Sequence, residues 1–138
     1  MGWNKGGMNK LARVMAVDDD PRIREVLEIL FKMEGIDVTV ASGGEEALEI
    51  LEREGDDIDL LILDIMMPRM DGWDVVRALR DRGWTNRLLI TMLTAKGDPG
   101  DKAIGLDEYV FDYITKPFDP EELVNRVKDF LEIVDAAK

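Results

Sequence analysis

The chain has 138 residues, of which 46% are hydrophobic and 35% charged, and this balance predicts one globular domain rather than a disordered segment. Its formal net charge is −12, from 30 acidic and 18 basic residues, which argues against direct binding to nucleic acid. The absence of cysteine and histidine excludes disulfides, thiol nucleophiles and a phosphohistidine in this chain. No apolar stretch approaches the roughly 20 residues of a membrane helix, and no signal-peptide core is present, so a cytoplasmic location without membrane insertion is expected.

Residues 1–9 show no hydrophobic periodicity and are predicted to be a flexible leader before a single domain over residues 10–136. Beyond the leader, strand-like runs alternate with helix-like periods. In chain order, the predicted elements are strand 11–17, helix 21–34, strand 36–40, helix 43–54, strand 60–64, helix 72–82, strand 88–93, helix 101–108, strand 110–114 and helix 120–134. Alternation through short loops predicts an α/β fold, in which a doubly wound parallel sheet carries helices on both faces.

The most informative segment is the run of aliphatic residues over 60–63, which leads directly into Asp64. A loop with Pro68 and Gly72 follows at once, so the run is predicted to be a buried strand with Asp64 at its carboxyl end. In open α/β sheets, ligands bind at the carboxyl ends of the strands. Asp64 is therefore a candidate functional residue.

A second strand ends in three consecutive acids, Asp18, Asp19 and Asp20, with Pro21 opening the next helix and Asp20 as its expected N-cap. If this strand lies parallel to the Asp64 strand, three or four carboxylates meet in one crevice and repel one another. A divalent cation is then expected to hold them together. Oxygen ligands without histidine or cysteine favour Mg²⁺ over zinc.

Four separated motifs resemble the receiver domain of two-component response regulators. They are Val17–Pro21, Leu63–Gly72, Met92–Lys96 and Tyr113–Phe118, in the family's order and spacing across roughly residues 10–134. The resemblance implies a flavodoxin-like (βα)5 fold whose five-stranded sheet has the order 2-1-3-4-5.

The resemblance also implies a role for individual residues. Asp64 would be the phosphoryl acceptor, and Lys116 and Thr94 would contact the phosphoryl group. Thr94 and Tyr113 would form a switch in which Tyr113 moves inward as Thr94 turns toward that group. A cis peptide bond is implied before Pro117.

The same resemblance implies a magnesium site. Its ligands would be Asp18, Asp19, Asp64 and the backbone carbonyl of Met66. Asp19 would be the more direct ligand, and Asp18 would act through water.

One segment departs from the family pattern, because Tyr109-Val110-Phe111 stands where many members have Gly-Ala-Asp. That glycine would close a helix in a left-handed conformation, so Tyr109 either carries strain or changes the turn. Phe111 and Glu121 also replace two charges through which regulators with winged-helix outputs dimerise. The departure argues against that dimer and for an apolar contact with a partner.

Together these features predict a stand-alone receiver, monomeric or weakly dimeric upon phosphorylation. It would accept a phosphoryl group from a sensor histidine kinase or phosphotransfer protein and signal to a downstream protein target without touching nucleic acid. Its only chemistry would be self-catalysed phosphoryl transfer and autodephosphorylation, so it is not classed as an enzyme.

Two alternatives remain open at the level of sequence. One is a receiver-like interaction module that is never phosphorylated. The other is a small phosphatase of the haloacid-dehalogenase type, whose Asp-x-Asp motif is similar to Asp18–Asp20. Arg22 stands where those phosphatases usually place threonine or valine.

Overall fold

The computed structural model describes residues 13–95 and 105–137, so the predicted leader and the start of the first predicted strand lie outside the described residues. The strands are β1 (Arg13–Val17), β2 (Asp37–Ala41), β3 (Leu60–Asp64), β4 (Leu89–Thr94) and β5 (Asp112–Thr115). The α-helices are α1 (Pro21–Met33), α2 (Gly44–Glu54), α3 (Gly72–Asp81) and α4 (Pro120–Ala137). Within the described part of the chain, no helix is both long and apolar enough to cross a bilayer.

The strands form one parallel sheet in the order β2-β1-β3-β4-β5, which confirms the predicted topology. Because Val17 of β1 lies beside Leu63 of β3, the two strands end next to each other. The acids that follow β1 and the acid that ends β3 are thereby brought to the same edge of the sheet. This register is what creates the site.

The two faces of the sheet carry separate hydrophobic clusters, as the doubly wound prediction requires. Met15, Leu61 and Ile90 pack toward α2 and α3 on one face. Val14 and Ile62 pack toward α1 and α4 on the other. All of β3 is buried, which explains its continuous aliphatic run.

The helix ends follow the local sequence. The side chain of Asp20 caps α1 by accepting a hydrogen bond from the Arg22 backbone N–H at 2.9 Å, as predicted. Gly35 has a φ of 74° just beyond α1, a conformation that glycine adopts without strain. At α3, Asp71 and Asp74 form a reciprocal capping box.

The predicted helix over 101–108 differs from the structure where it can be compared. Residues 101–104 lie outside the described residues, and the remainder is a turn followed by a 3₁₀-helix at Asp107–Tyr109. Gly105 takes the left-handed conformation with a φ of 77°, whereas Arg69 is the non-glycine residue with positive φ in the described ranges. The turn has therefore changed, and Tyr109 carries no left-handed strain.

Thr91, in the middle of β4, is completely buried, and its hydroxyl has no hydrogen-bond partner among the described residues. Valine keeps the shape and removes the unpaired hydroxyl, so we expect Thr91→Val to raise the free energy of unfolding by about 1 kcal/mol. Urea denaturation measures this, with Thr39→Val as a control that removes a hydroxyl bonded to Arg13. A loss of stability in Thr91→Val would contradict the expectation.

Candidate functional site

The carboxyl edge of the sheet gathers polar side chains from four strands. Asp18 follows β1, Asp64 ends β3, Thr94 ends β4 and Lys116 follows β5. The carboxylates of Asp18, Asp19 and Asp64 each place an oxygen within 4.8 Å of the other two. Asp18 is fully buried and Asp64 is only 5% exposed, whereas Asp19 faces solvent.

Lys116 bridges the two buried carboxylates. Its Nζ lies 2.7 Å from Asp18 Oδ2 and 3.2 Å from Asp64 Oδ1. Its backbone N–H donates to the Thr94 carbonyl at 2.6 Å, and the following bond to Pro117 is cis, as the resemblance implied. Burial alone would lower the pKa of Lys116, but its bonds to the carboxylates outweigh burial and raise it.

The pKa of Asp64 is raised from 3.8 to about 6. Burial is the largest cause, repulsion from Asp18 adds to it, and Lys116 opposes both. The carboxylate is ionised at neutral pH but at a cost, which a second positive charge at the site would relieve.

Asp18 is held in place by contacts that sequence reasoning missed. Its Oδ1 accepts from the backbone N–H of Asp20 at 2.9 Å, and its carbonyl accepts from Arg24 Nη1 at 2.7 Å. Arg24 lies on the first turns of α1, where its spacing from Asp18 gave no motif to identify it. Asp20 itself pairs with Arg22, and this ion pair lowers the pKa of Asp20.

The loop after β3 is shaped by a glycine in close contact with the acceptor strand. A Cβ on Gly72 would lie 2.6 Å from the Asp64 carbonyl oxygen and 2.9 Å from Ile65 Cα, so no larger residue fits without moving backbone. A Cβ on Gly44, at the start of α2, would lie 2.8 Å from Met70 Cγ of this loop, a side chain that could move aside. Met66 lies two residues past Asp64, with its side chain exposed. These contacts set the course of the loop whose carbonyl was expected to bind metal.

Thr94 and Tyr113 occupy neighbouring strands near the acceptor edge. Thr94 is half-buried at the end of β4, and Met92 of the same strand lies beside Tyr113 of β5. Tyr113 is 41% exposed, and its ring lies 6.3 Å from that of Trp73, centroid to centroid. Tyr113 is therefore partly exposed to solvent and partly packed near Trp73.

The donor set suits a hard divalent cation. Three carboxylates converge, two of them buried, and histidine and cysteine are absent from the sequence. Such oxygen ligands match the preference of Mg²⁺. Asp18, Asp19 and Asp64 could therefore hold this ion, as predicted from the sequence.

The comparison with known families decides the identity of this arrangement. Residues 14–128 match the model of the response regulator receiver domain. The chain belongs to the response regulator receiver family. Such receivers are the signal-accepting domains of two-component systems.

Similar proteins include full-length regulators and isolated receivers. The chain is 44% identical over 124 residues to the transcriptional regulatory protein CpxR of Escherichia coli K12, covering 90% of the chain and 50% of CpxR. It is 44% identical over 119 residues to the response regulator MprA of Mycobacterium leprae, covering 86% of the chain and 50% of MprA. A crystal structure of a CheY-like receiver domain protein from Methanospirillum hungatei JF-1 matches with a TM-score of 0.85 and 41% identity, covering 91% of the chain and 98% of that structure. The receiver thus spans about half the length of these curated relatives.

Proposed function

We propose that this receiver accepts a phosphoryl group on Asp64 and thereby controls contact with a downstream protein. The observation that carries the proposal is that half-buried Lys116 bridges the buried carboxylates of Asp18 and Asp64, beside exposed Asp19. We propose further that its output passes through contact with a protein and that it acts in the cytoplasm.

In the proposed step, a carboxylate oxygen of Asp64 attacks the phosphorus of the donor. A P–O bond forms to Asp64 while the donor's bond from phosphorus to its imidazole nitrogen breaks, and the imidazole keeps that electron pair. Mg²⁺ held by Asp18, Asp19 and Asp64 would neutralise charge on the phosphoryl oxygens. Lys116, whose Nζ lies 3.2 Å from Asp64 Oδ1, would donate to one of those oxygens, and Thr94 at the adjacent strand end would donate its hydroxyl. Attack of water on phosphorus would then break the P–O bond to Asp64, releasing inorganic phosphate and returning the carboxylate.

Incubation with Mg²⁺ and acetyl phosphate tests the proposal, because a small acyl phosphate needs no protein donor. We expect intact mass spectrometry to show one phosphoryl adduct, which EDTA prevents. No adduct in a folded sample, at any donor concentration, would instead favour the interaction module that is never phosphorylated.

The protein donor would dock on an apolar groove next to the acceptor. The groove has a volume of about 430 Å³ and is lined by Ile23, Val26, Lys116, Pro117, Phe118 and Pro120. Since Lys116 belongs to both the groove and the acceptor cluster, an occupant of the groove lies beside Asp64. Exposed Ile29 and Met33 extend the apolar surface along α1. A histidine kinase or phosphotransfer protein is the occupant that must approach Asp64 this closely.

The substitution Val26→Ser tests this surface. Losing burial of one valine costs about 1.5 kcal/mol, so transfer from a phosphorylated histidine phosphotransfer domain should slow roughly tenfold. Labelling by acetyl phosphate should be unchanged. Ile133→Ser is the matched control, because Ile133 is similarly exposed on α4. Equal rates of phosphoryl transfer from the protein donor to the two variants would show that the donor does not dock on the groove.

The phosphatase alternative has less support. A phosphatase of that type would direct Asp18 and Asp20 at one substrate. Here Asp20 caps α1 and pairs with Arg22, while Asp18 turns toward Lys116 and Asp64. We therefore limit the proposed chemistry to the receiver's own phosphorylation and dephosphorylation.

A further inference from the structure

The indole N–H of Trp73 is a buried hydrogen-bond donor. Its side chain lies in the first turn of α3, and the residue is only 3% exposed. The indole N–H at Nε1 has no hydrogen-bond partner among the described residues. A buried donor without a partner is costly, so most such groups in folded proteins are paired. This exception lies one residue from Gly72, which is in close contact with the acceptor strand.

A polar group that could pair with this donor lies close by. The Tyr113 ring lies 6.3 Å from the Trp73 ring at an interplanar angle of 49°. Strand alternation places Tyr113 on the face of the sheet that α3 covers, beside Met92, which packs in the same cluster as Trp73. Its hydroxyl can accept a hydrogen bond. Tyr113 is 41% exposed, so its side chain is not fixed by complete burial and can rotate.

We infer that the indole N–H of Trp73 donates a hydrogen bond to the Tyr113 hydroxyl when the receiver is phosphorylated. This inference rests on the proposed function, because phosphorylation at Asp64 is what would turn Tyr113 inward. The hydrogen bond exists only in the inward conformation, so it shifts the equilibrium toward that state. Trp73 is thus a positioning residue that acts through Tyr113 and does not touch the phosphoryl group.

The indole resonances of the full chain in a ¹H–¹⁵N spectrum test the inference, with the Trp73 signal assigned from a Trp73→Phe variant. Acetyl phosphate and Mg²⁺ supply the phosphoryl group, and intact mass confirms the adduct in each sample. Phosphorylation should move the Trp73 indole proton downfield in the wild-type protein. Tyr113→Phe keeps the ring and removes only the hydroxyl, so this movement should be lost. Tyr109→Phe is the matched control, since Tyr109 packs against the same cluster and should leave the movement intact.

The outcomes separate this inference from the proposed function. An adduct with no movement of the Trp73 resonance, or with the same movement in Tyr113→Phe, would overturn the role of Trp73 alone. Absence of any adduct in the wild-type protein would overturn the proposed function and this inference together.

Discussion

Replacement of Asp64 by asparagine is expected to abolish phosphoryl acceptance and, without divalent cations, to raise the free energy of unfolding at pH 8 by about 3 kcal/mol. A carboxyl whose pKa rises from 3.8 to about 6 on folding costs about this much once it is ionised. Asparagine fills the same space without the charge that burial and Asp18 disfavour. The acceptor thus carries a stability penalty that its chemistry requires.

The pH dependence follows from the sign of this change. Folding raises the pKa of Asp64, so the neutral carboxyl stabilises the folded state fully below pH 3.8. This contribution to the free energy of unfolding is lost as the pH rises through about 6. The difference in free energy of unfolding between Asp64→Asn and wild type should therefore be absent in acid, grow between these two pH values and stay constant above them. Urea denaturation in EDTA across this range measures it. Asp81→Asn, at an exposed pair with Arg80, should differ little from wild type at every pH. Equal stability of Asp64→Asn and wild type at pH 8 would contradict the expected penalty.

Replacement of Lys116 by methionine should instead lower the free energy of unfolding. It leaves Asp18 and Asp64 buried with no positive side chain between them. Removing one partner of a buried ion pair is strongly destabilising, and we expect a loss of about 3 kcal/mol at pH 8 in EDTA. The pKa of Asp64 should also rise further, because Lys116 lowers it.

Magnesium distinguishes this electrostatic cause from lost packing. Mg²⁺ should restore more stability to Lys116→Met than it adds to wild type, since the ion supplies the missing positive charge. Lys128→Met is the control, because Lys128 pairs with Glu34 at a partly exposed site and should cost less than about 1 kcal/mol. Similar losses for the two variants, or no recovery with Mg²⁺, would argue against the role assigned to Lys116.

The central part of the site could be predicted from local pattern. Aliphatic runs that end in Asp18 and Asp64 indicate parallel strands, and parallel strands that lie side by side bring their carboxyl ends together. Lys116, Thr94 and Tyr113 came only from the resemblance, because a single lysine, threonine or tyrosine at a strand end has no distinctive pattern. The structure places Lys116 between the acids and Thr94 at the adjoining strand end.

The supporting contacts could not be predicted in the same way. The bond from Arg24 to the Asp18 carbonyl, and the packing of Gly44 on Met70, depend on how separate elements meet. The pairing of Trp73 with Tyr113 joins residues 40 positions apart on α3 and β5. The left-handed turn at Gly105 could not be predicted from the family pattern, because that pattern has its glycine at the position of Tyr109, four residues later.

Asp64, and neither Asp18 nor Asp19, is expected to take the phosphoryl group. Borohydride reduces an acyl phosphate to an alcohol and so converts a phosphorylated aspartate to homoserine. After treatment with acetyl phosphate and Mg²⁺, then borohydride, peptide mass spectrometry should find homoserine at position 64 and unmodified aspartate at 18 and 19. Homoserine at position 18 or 19, or at none of the three, would contradict the account.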